Sequence, residues 1–111
     1  MKISEVAEHF GWKLLAGEDG KDREINGCYV GDLLSWVMGR AQEDNLWFTV
    51  MGNINAIAVA ALTDAAGIVL TESAALDEEA RNRADMQGIA VYWTEDNTYT
   101  ASTKVYDLLK K

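Results

Sequence analysis

Three short runs constrain this chain most, because they are apolar at nearly every position: Leu46-Trp47-Phe48-Thr49-Val50-Met51, Ile68-Val69-Leu70-Thr71 and Ile89-Ala90-Val91-Tyr92-Trp93. A strand with one wet face alternates apolar and polar side chains, so runs without alternation belong to strands covered on both faces. The stretches after them have helical spacing. Ile54, Ile57, Ala58, Ala61, Leu62 and Ala65 mark one helix. Asp77 opens a second with Glu78 and Glu79 in its first turn, and Ala101, Val105, Leu108 and Leu109 mark a third. Strands joined through helices need right-handed crossovers, which place parallel strands between helical layers. The second half of the chain therefore predicts β-α-β-α-β-α.

The first half adds smaller elements. Proline is absent, so 9 glycines do much of the punctuating. Ser4 is the expected N-cap of a short helix that buries Ile3, Val6, Ala7 and Phe10, with Gly11 as its stop. Residues 12–15 read as extended, 17–22 as a polar turn and 25–30 as β. Asp32 is the expected cap of a helix burying Leu34, Val37, Met38 and Ala41. Gly67 is expected to end the helix that starts near Ile54, Gly88 to end the next, and Asn97 or Thr98 to cap the last. The predicted fold class is α/β: one domain over residues 1–111, with a mainly parallel sheet of four to five strands and helices on both faces.

A length of 111 residues suits one core and not two. With 10 Lys and Arg against 18 Asp and Glu, the net charge is −8, which opposes nucleic acid at every approach. The longest apolar stretch, 54–62, is interrupted by Asn55 and falls short of the ~20 residues of a membrane span. The opening Met1-Lys2-Ile3-Ser4-Glu5 lacks the apolar centre of a signal peptide. A single cysteine, Cys28, permits no internal disulfide and no four-cysteine metal site. A cytoplasmic protein is expected, with no cofactor, no metal, no nucleic acid and no membrane partner.

Catalytic groups are sparse. His9 is the one histidine, on a polar position of a short helix, so no Ser/His/Asp or Cys/His arrangement can be built. Gly20-Lys21 is followed by Asp22 and is no phosphate-binding P-loop. Cys28 reads as a small buried hydrophobe. These readings point away from an enzyme. Parallel sheets hold ligands at the carboxyl ends of their strands, which here are Gly52, Asn53 and Asn55, then Thr71, Glu72 and Ser73, then Thr94, Glu95 and Asp96. A helix beginning after Gly52 presents free N–H groups to an anion, with Asn53 or Asn55 adding amide donors. Glu72, Glu95 and Asp96 repel a phosphate at that edge, which moves the expectation towards a protein partner. Trp12, Trp36 and Trp93 flank polar turns, where interface aromatics are often half-exposed.

The order of several segments resembles a known family, the DRTGG domain. They are Asp22-Arg23-Glu24-Ile25-Asn26-Gly27-Cys28-Tyr29-Val30-Gly31-Asp32-Leu33-Leu34, Met51-Gly52-Asn53-Ile54-Asn55 and Ile89-Ala90-Val91-Tyr92-Trp93-Thr94-Glu95-Asp96-Asn97-Thr98-Tyr99. That family is similar to the N-terminal domain of HPr kinase/phosphorylase, and occurs beside CBS domains in pyrophosphatases and inside some phosphotransacetylases. The resemblance implies a regulatory or protein-interaction module that forms a homodimer, with chemistry in other domains. Its alternative is a sensor of nucleotides or other small molecules at the strand-end edge. Many relatives have an Asp-Arg-Thr/Ser-like stretch where this chain has Asn53-Ile54-Asn55, and Thr-Gly-Gly where it has Thr71-Glu72-Ser73.

Overall fold

The apolar runs pair side by side. The structure, a computed structural model, describes residues 1–110, so Lys111 at the end of the predicted domain lies outside the described residues. The elements run α1 (Ile3–Phe10), β1 (Lys13–Ala16), β2 (Gly27–Val30), α2 (Leu34–Arg40), β3 (Asn45–Thr49), α3 (Ile54–Thr63), β4 (Gly67–Leu70), α4 (Glu78–Gln87), β5 (Ala90–Trp93) and α5 (Thr98–Lys110). The strand order is β1-β5-β4-β3-β2. Strands β2 to β5 are parallel, and β1 joins β5 antiparallel.

Both faces of the inner strands are covered, as the unalternating runs require. Trp47, Ile68, Leu70 and Val91 pack towards α2, α3 and α4. Leu46, Phe48, Val69, Ala90 and Tyr92 pack towards α1 and α5, meeting Ile3, Val6, Ala7, Ala101 and Val105. Each large side chain so buried contributes about 1.5 to 3 kcal/mol. At the amino ends of β3 and β4, Arg23 lies 2.7 Å from Asp44 Oδ1 and 2.9 Å from Asp64 Oδ1. It thereby ties two turns whose aspartates both have positive φ, 66° and 56°.

Several local expectations are corrected. Ser4 lies inside α1 and not at its cap, because its N–H donates to the Lys21 carbonyl and that of Ile3 to the Arg23 carbonyl. A tertiary segment thus satisfies the donors that a side-chain cap would serve. Asp32 does not cap α2; its Oδ1 accepts from Thr49 Oγ1 at 2.7 Å and from the Val50 N–H at 2.9 Å, closing the ends of β2 and β3. Met38 is exposed, leaving Val37 as the buried residue of α2. Gly67 begins β4 and does not stop α3, whose left-handed C-cap is Asp64. Trp12 is buried.

The face of α3 also differs from the expected one. Ala56, Ile57, Val59 and Ala60 are buried, whereas Ala58, Ala61 and Leu62 face outward. A helix that is apolar nearly all round has no strong periodicity to mark its inner face. Ala56 and Ala60, with Ala80 and Ala84 of α4, are at most 1% exposed. Their small side chains suit the close neighbouring of α3 and α4. Overpacking such a contact costs about 1 to 3 kcal/mol, and a surface exchange about 0.5 or less. Ala60→Leu is therefore expected to lower stability in urea unfolding by about 1 to 3 kcal/mol, while Ala61→Leu leaves it nearly unchanged.

Candidate functional site

The carboxyl ends of β3, β4 and β5 lie along one edge of the sheet, as parallel pairing requires. Their polar groups are largely engaged with one another. Thr71 Oγ1 and Thr98 Oγ1 are 2.6 Å apart. The Glu72 N–H donates to the Asp96 carbonyl at 2.8 Å and the Ser73 N–H to the Thr94 carbonyl at 3.1 Å, which ties the turn after β4 to the turn after β5. The Asp77 N–H donates to the Gly52 carbonyl, and a Cβ on Gly52 would stand 1.9 Å from the Ala75 carbonyl oxygen. Only glycine permits that approach.

The remaining candidates divide between caps and solvent. Asn53 caps α3, its Oδ1 accepting from the Ala56 N–H at 3.0 Å, so one of the anion-ready donors is already satisfied. Asn97 caps α5 in the same way, at 2.8 Å from the Thr100 N–H. Asp96 pairs with Lys104 at 2.7 Å, and Thr94 Oγ1 accepts from the Asp96 N–H. Asn55, Glu72, Ser73 and Glu95 are exposed, whereas Thr71 and Thr94 are buried. His9 is exposed on α1. Among the described residues, no group of three or more His, Cys, Asp and Glu could hold a metal ion.

Sequence reasoning missed a second feature, at the sheet edge made by β2. The Gly31 N–H donates to the Phe48 carbonyl, which fixes the alternation: Tyr29 and Gly31 turn their backbone towards β3, and Cys28 and Val30 turn theirs to the open edge. Between this edge and α5 lies a groove of about 510 Å³, lined by Asn26, Cys28, Ser102, Tyr106, Leu109 and Lys110 among others, none of them acidic. Tyr106 is 62% exposed, with the Lys110 ammonium 5.1 Å from its ring centre. Burial pushes the Cys28 thiol up to about 11. Val30, Leu33, Trp36 and Val50 are further exposed apolar residues at or after the ends of β2 and β3.

Residues 5–108 match the DRTGG domain family. The chain belongs to that family. A solved structure similar to this DRTGG domain is that of the CBS and DRTGG domains of the regulatory region of Clostridium perfringens pyrophosphatase, complexed with an activator, diadenosine tetraphosphate. The TM-score is 0.68 at 13% identity, over 92% of this chain and 44% of that one, so the chain spans less than half of that structure. The likeness confirms the α/β fold. No curated protein matches the chain.

The DRTGG fold gives a physical reading of one departure noted in the sequence. Where many relatives have Gly-Gly after Thr71, this chain has Glu72 and Ser73, whose φ angles are +60° and +57°. An L-residue in that region is strained by roughly 1 to 2 kcal/mol, a cost that glycine avoids. Glu72→Gly and Ser73→Gly are accordingly expected to raise stability by about 1 kcal/mol each in chemical unfolding, and Gly52→Ala to lower it by at least about 2. At pH 8 a thiol raised from 9.0 to about 11 has about 100-fold less thiolate than an unshifted one. Iodoacetamide, followed by mass spectrometry, is expected to modify Cys28 in the native chain slower by about that factor.

Proposed function

We propose that this DRTGG domain is a non-catalytic, cytoplasmic regulatory module that self-associates, strand β2 of one copy adding to β2 of a second. The observation that carries this reading is the unguarded edge. Native sheets protect edge strands with charges, prolines or bulges. β1, at the opposite edge, carries Lys13 and an irregular register between Leu14 and Ala16. β2 is Gly27-Cys28-Tyr29-Val30, uncharged and in unbroken register with β3.

Charge favours a second copy as the occupant. Two chains of net charge −8 repel wherever carboxylates meet, and the groove beside β2 is lined by none. A two-fold axis perpendicular to the sheet keeps α5 of both copies on one face, and opposed residues in an antiparallel pair share a face. Cys28 must then oppose Cys28 or Val30 of the other copy, never Tyr29. The two α5 helices would meet antiparallel across the groove, and Tyr106 supplies an exposed aromatic anchor. The strand-end edge, Gly52, Asn53, Asn55, Thr71, Glu72, Ser73, Thr94, Glu95 and Asp96, stays free for a further protein partner.

Light scattering coupled to size exclusion is expected to show twice the 12.2 kDa chain mass at tens of micromolar. Val30→Lys places a charge on the edge at a residue 49% exposed, and is expected to give a folded monomer. A native chain that stays monomeric, or a Val30→Lys variant that stays dimeric, contradicts the edge-pairing reading. A second reading, a nucleotide sensor at the strand-end edge, is favoured by the activator in the pyrophosphatase regulatory region. Diadenosine tetraphosphate at 100 times its Kd would then stabilise the domain by about 2.7 kcal/mol in thermal denaturation, and Asn53→Ala with Asn55→Ala would remove the gain.

A further inference from the structure

On the α4 face of the sheet, beside β1, lies a cavity of about 270 Å³ that includes none of the strand-end candidates. Lys13, Leu15, Arg81 and Trp93 line it together with the turn 74–76 that follows β4. Lys13 and Trp93 are register partners across β1 and β5, so their side chains leave the same face, and Leu15 follows two residues on. Arg81 reaches the cavity from the second turn of α4.

Three features set this place apart. Trp93 is half-buried, packs in neither apolar cluster and makes no aromatic pair among the described residues. An indole left at a cavity wall offers a flat face to a planar guest. Among the described residues, Lys21, Arg23 and Lys104 are ion-paired and Arg40 and Lys110 lie over Trp36 and Tyr106, whereas Lys13 and Arg81, like Lys2 and Arg83, do neither, and the first two share this lining. No carboxylate lines the cavity, although the chain carries 18 of them; Glu78, Glu79 and Glu95 are exposed nearby in sequence but outside the lining.

We propose that this cavity binds a planar ring carrying a single phosphate, the chemistry of a nucleoside 5′-monophosphate. The ring stacks on the Trp93 indole, a contact that every base can make. The guanidinium of Arg81 presents paired N–H donors to phosphate oxygens, and the Lys13 ammonium adds a point charge from the opposite wall. At about 270 Å³ this open depression falls just under the usual range of roughly 300 to 1,000 Å³ for drug-sized ligands, a size that suits one ring and its phosphate. The proposal needs neither reading given above: its residues are apart from the β2 edge, and they adjoin the strand-end rim without including Asn53, Asn55, Glu72 or Glu95.

Isothermal titration of the whole chain at low ionic strength, with adenosine monophosphate, adenosine and inorganic phosphate as separate probes, tests it. The monophosphate is expected to bind one per chain with a Kd below about 1 mM, and each half of it about tenfold more weakly or worse. Lys13→Ala, Arg81→Ala and Trp93→Ala are each expected to weaken it about fivefold or more, with far-UV circular dichroism unchanged and Trp93→Phe retaining most of the affinity. No binding of the monophosphate at about 5 mM would overturn the proposal. So would undiminished binding to the Lys13→Ala, Arg81→Ala double variant, which would locate the nucleotide elsewhere, or phosphate alone binding as tightly as the monophosphate.

Discussion

The structure depends on burying β3 and β4 from both sides. Leu46, Trp47 and Phe48, then Ile68, Val69 and Leu70, are at most 1% exposed. No one-layer or two-layer arrangement leaves a strand with neither face in water, so helices must cover both. The short chain meets that demand with α2, α3 and α4 on one face and α1 and α5 on the other. In the first of these layers the neighbouring helices α3 and α4 bury small alanines, Ala56, Ala60, Ala80 and Ala84.

A sheet buried on its faces confronts water at its ends and edges. At the ends, polar side chains tie the turns: Asp32, Asn53 and Asn97 accept from backbone N–H groups where strands finish, Thr71 meets Thr98 there, and Arg23 pairs with Asp44 and Asp64 where strands start. The acidic side chains in these turns are thus partly structural, and the net charge of −8 is not spread evenly around the molecule. The groove beside β2 and the cavity beside β1 have no carboxylate in their linings. Both places left open by the structural ion pairs are ones that an acidic chain can offer to a second copy or to an anion.

Much of this was legible from sequence. The unalternating runs announced the buried strands, and the placing of Gly11, Gly88 and Asn97 as stops and caps agrees with the structure. What failed depended on contacts distant in sequence. Ser4 lost its capping role to carbonyls 17 and more residues away, and Asp32 was drawn to Thr49, because tertiary donors and acceptors compete with local ones. The inner face of α3 was unreadable since an alanine-rich helix has little polar contrast. The edge position of β2 was equally hidden, because strand order is a property of the assembled sheet. Glu72 and Ser73 were visible as departures from the DRTGG pattern, but their strain appears only with their φ angles.

The sheet is sealed on both faces and open at β2, and amide hydrogen exchange followed by NMR tests this residue by residue. At micromolar concentration or below, the amides of β3, β4 and β5 should exchange only through global unfolding, while those of Cys28 and Val30 exchange orders of magnitude faster. Raising the concentration should then protect Cys28 and Val30 selectively. Cys28 and Val30 amides as slow as those of β4 in the dilute chain would contradict the open edge, and fast exchange in β4 would contradict the sealed faces.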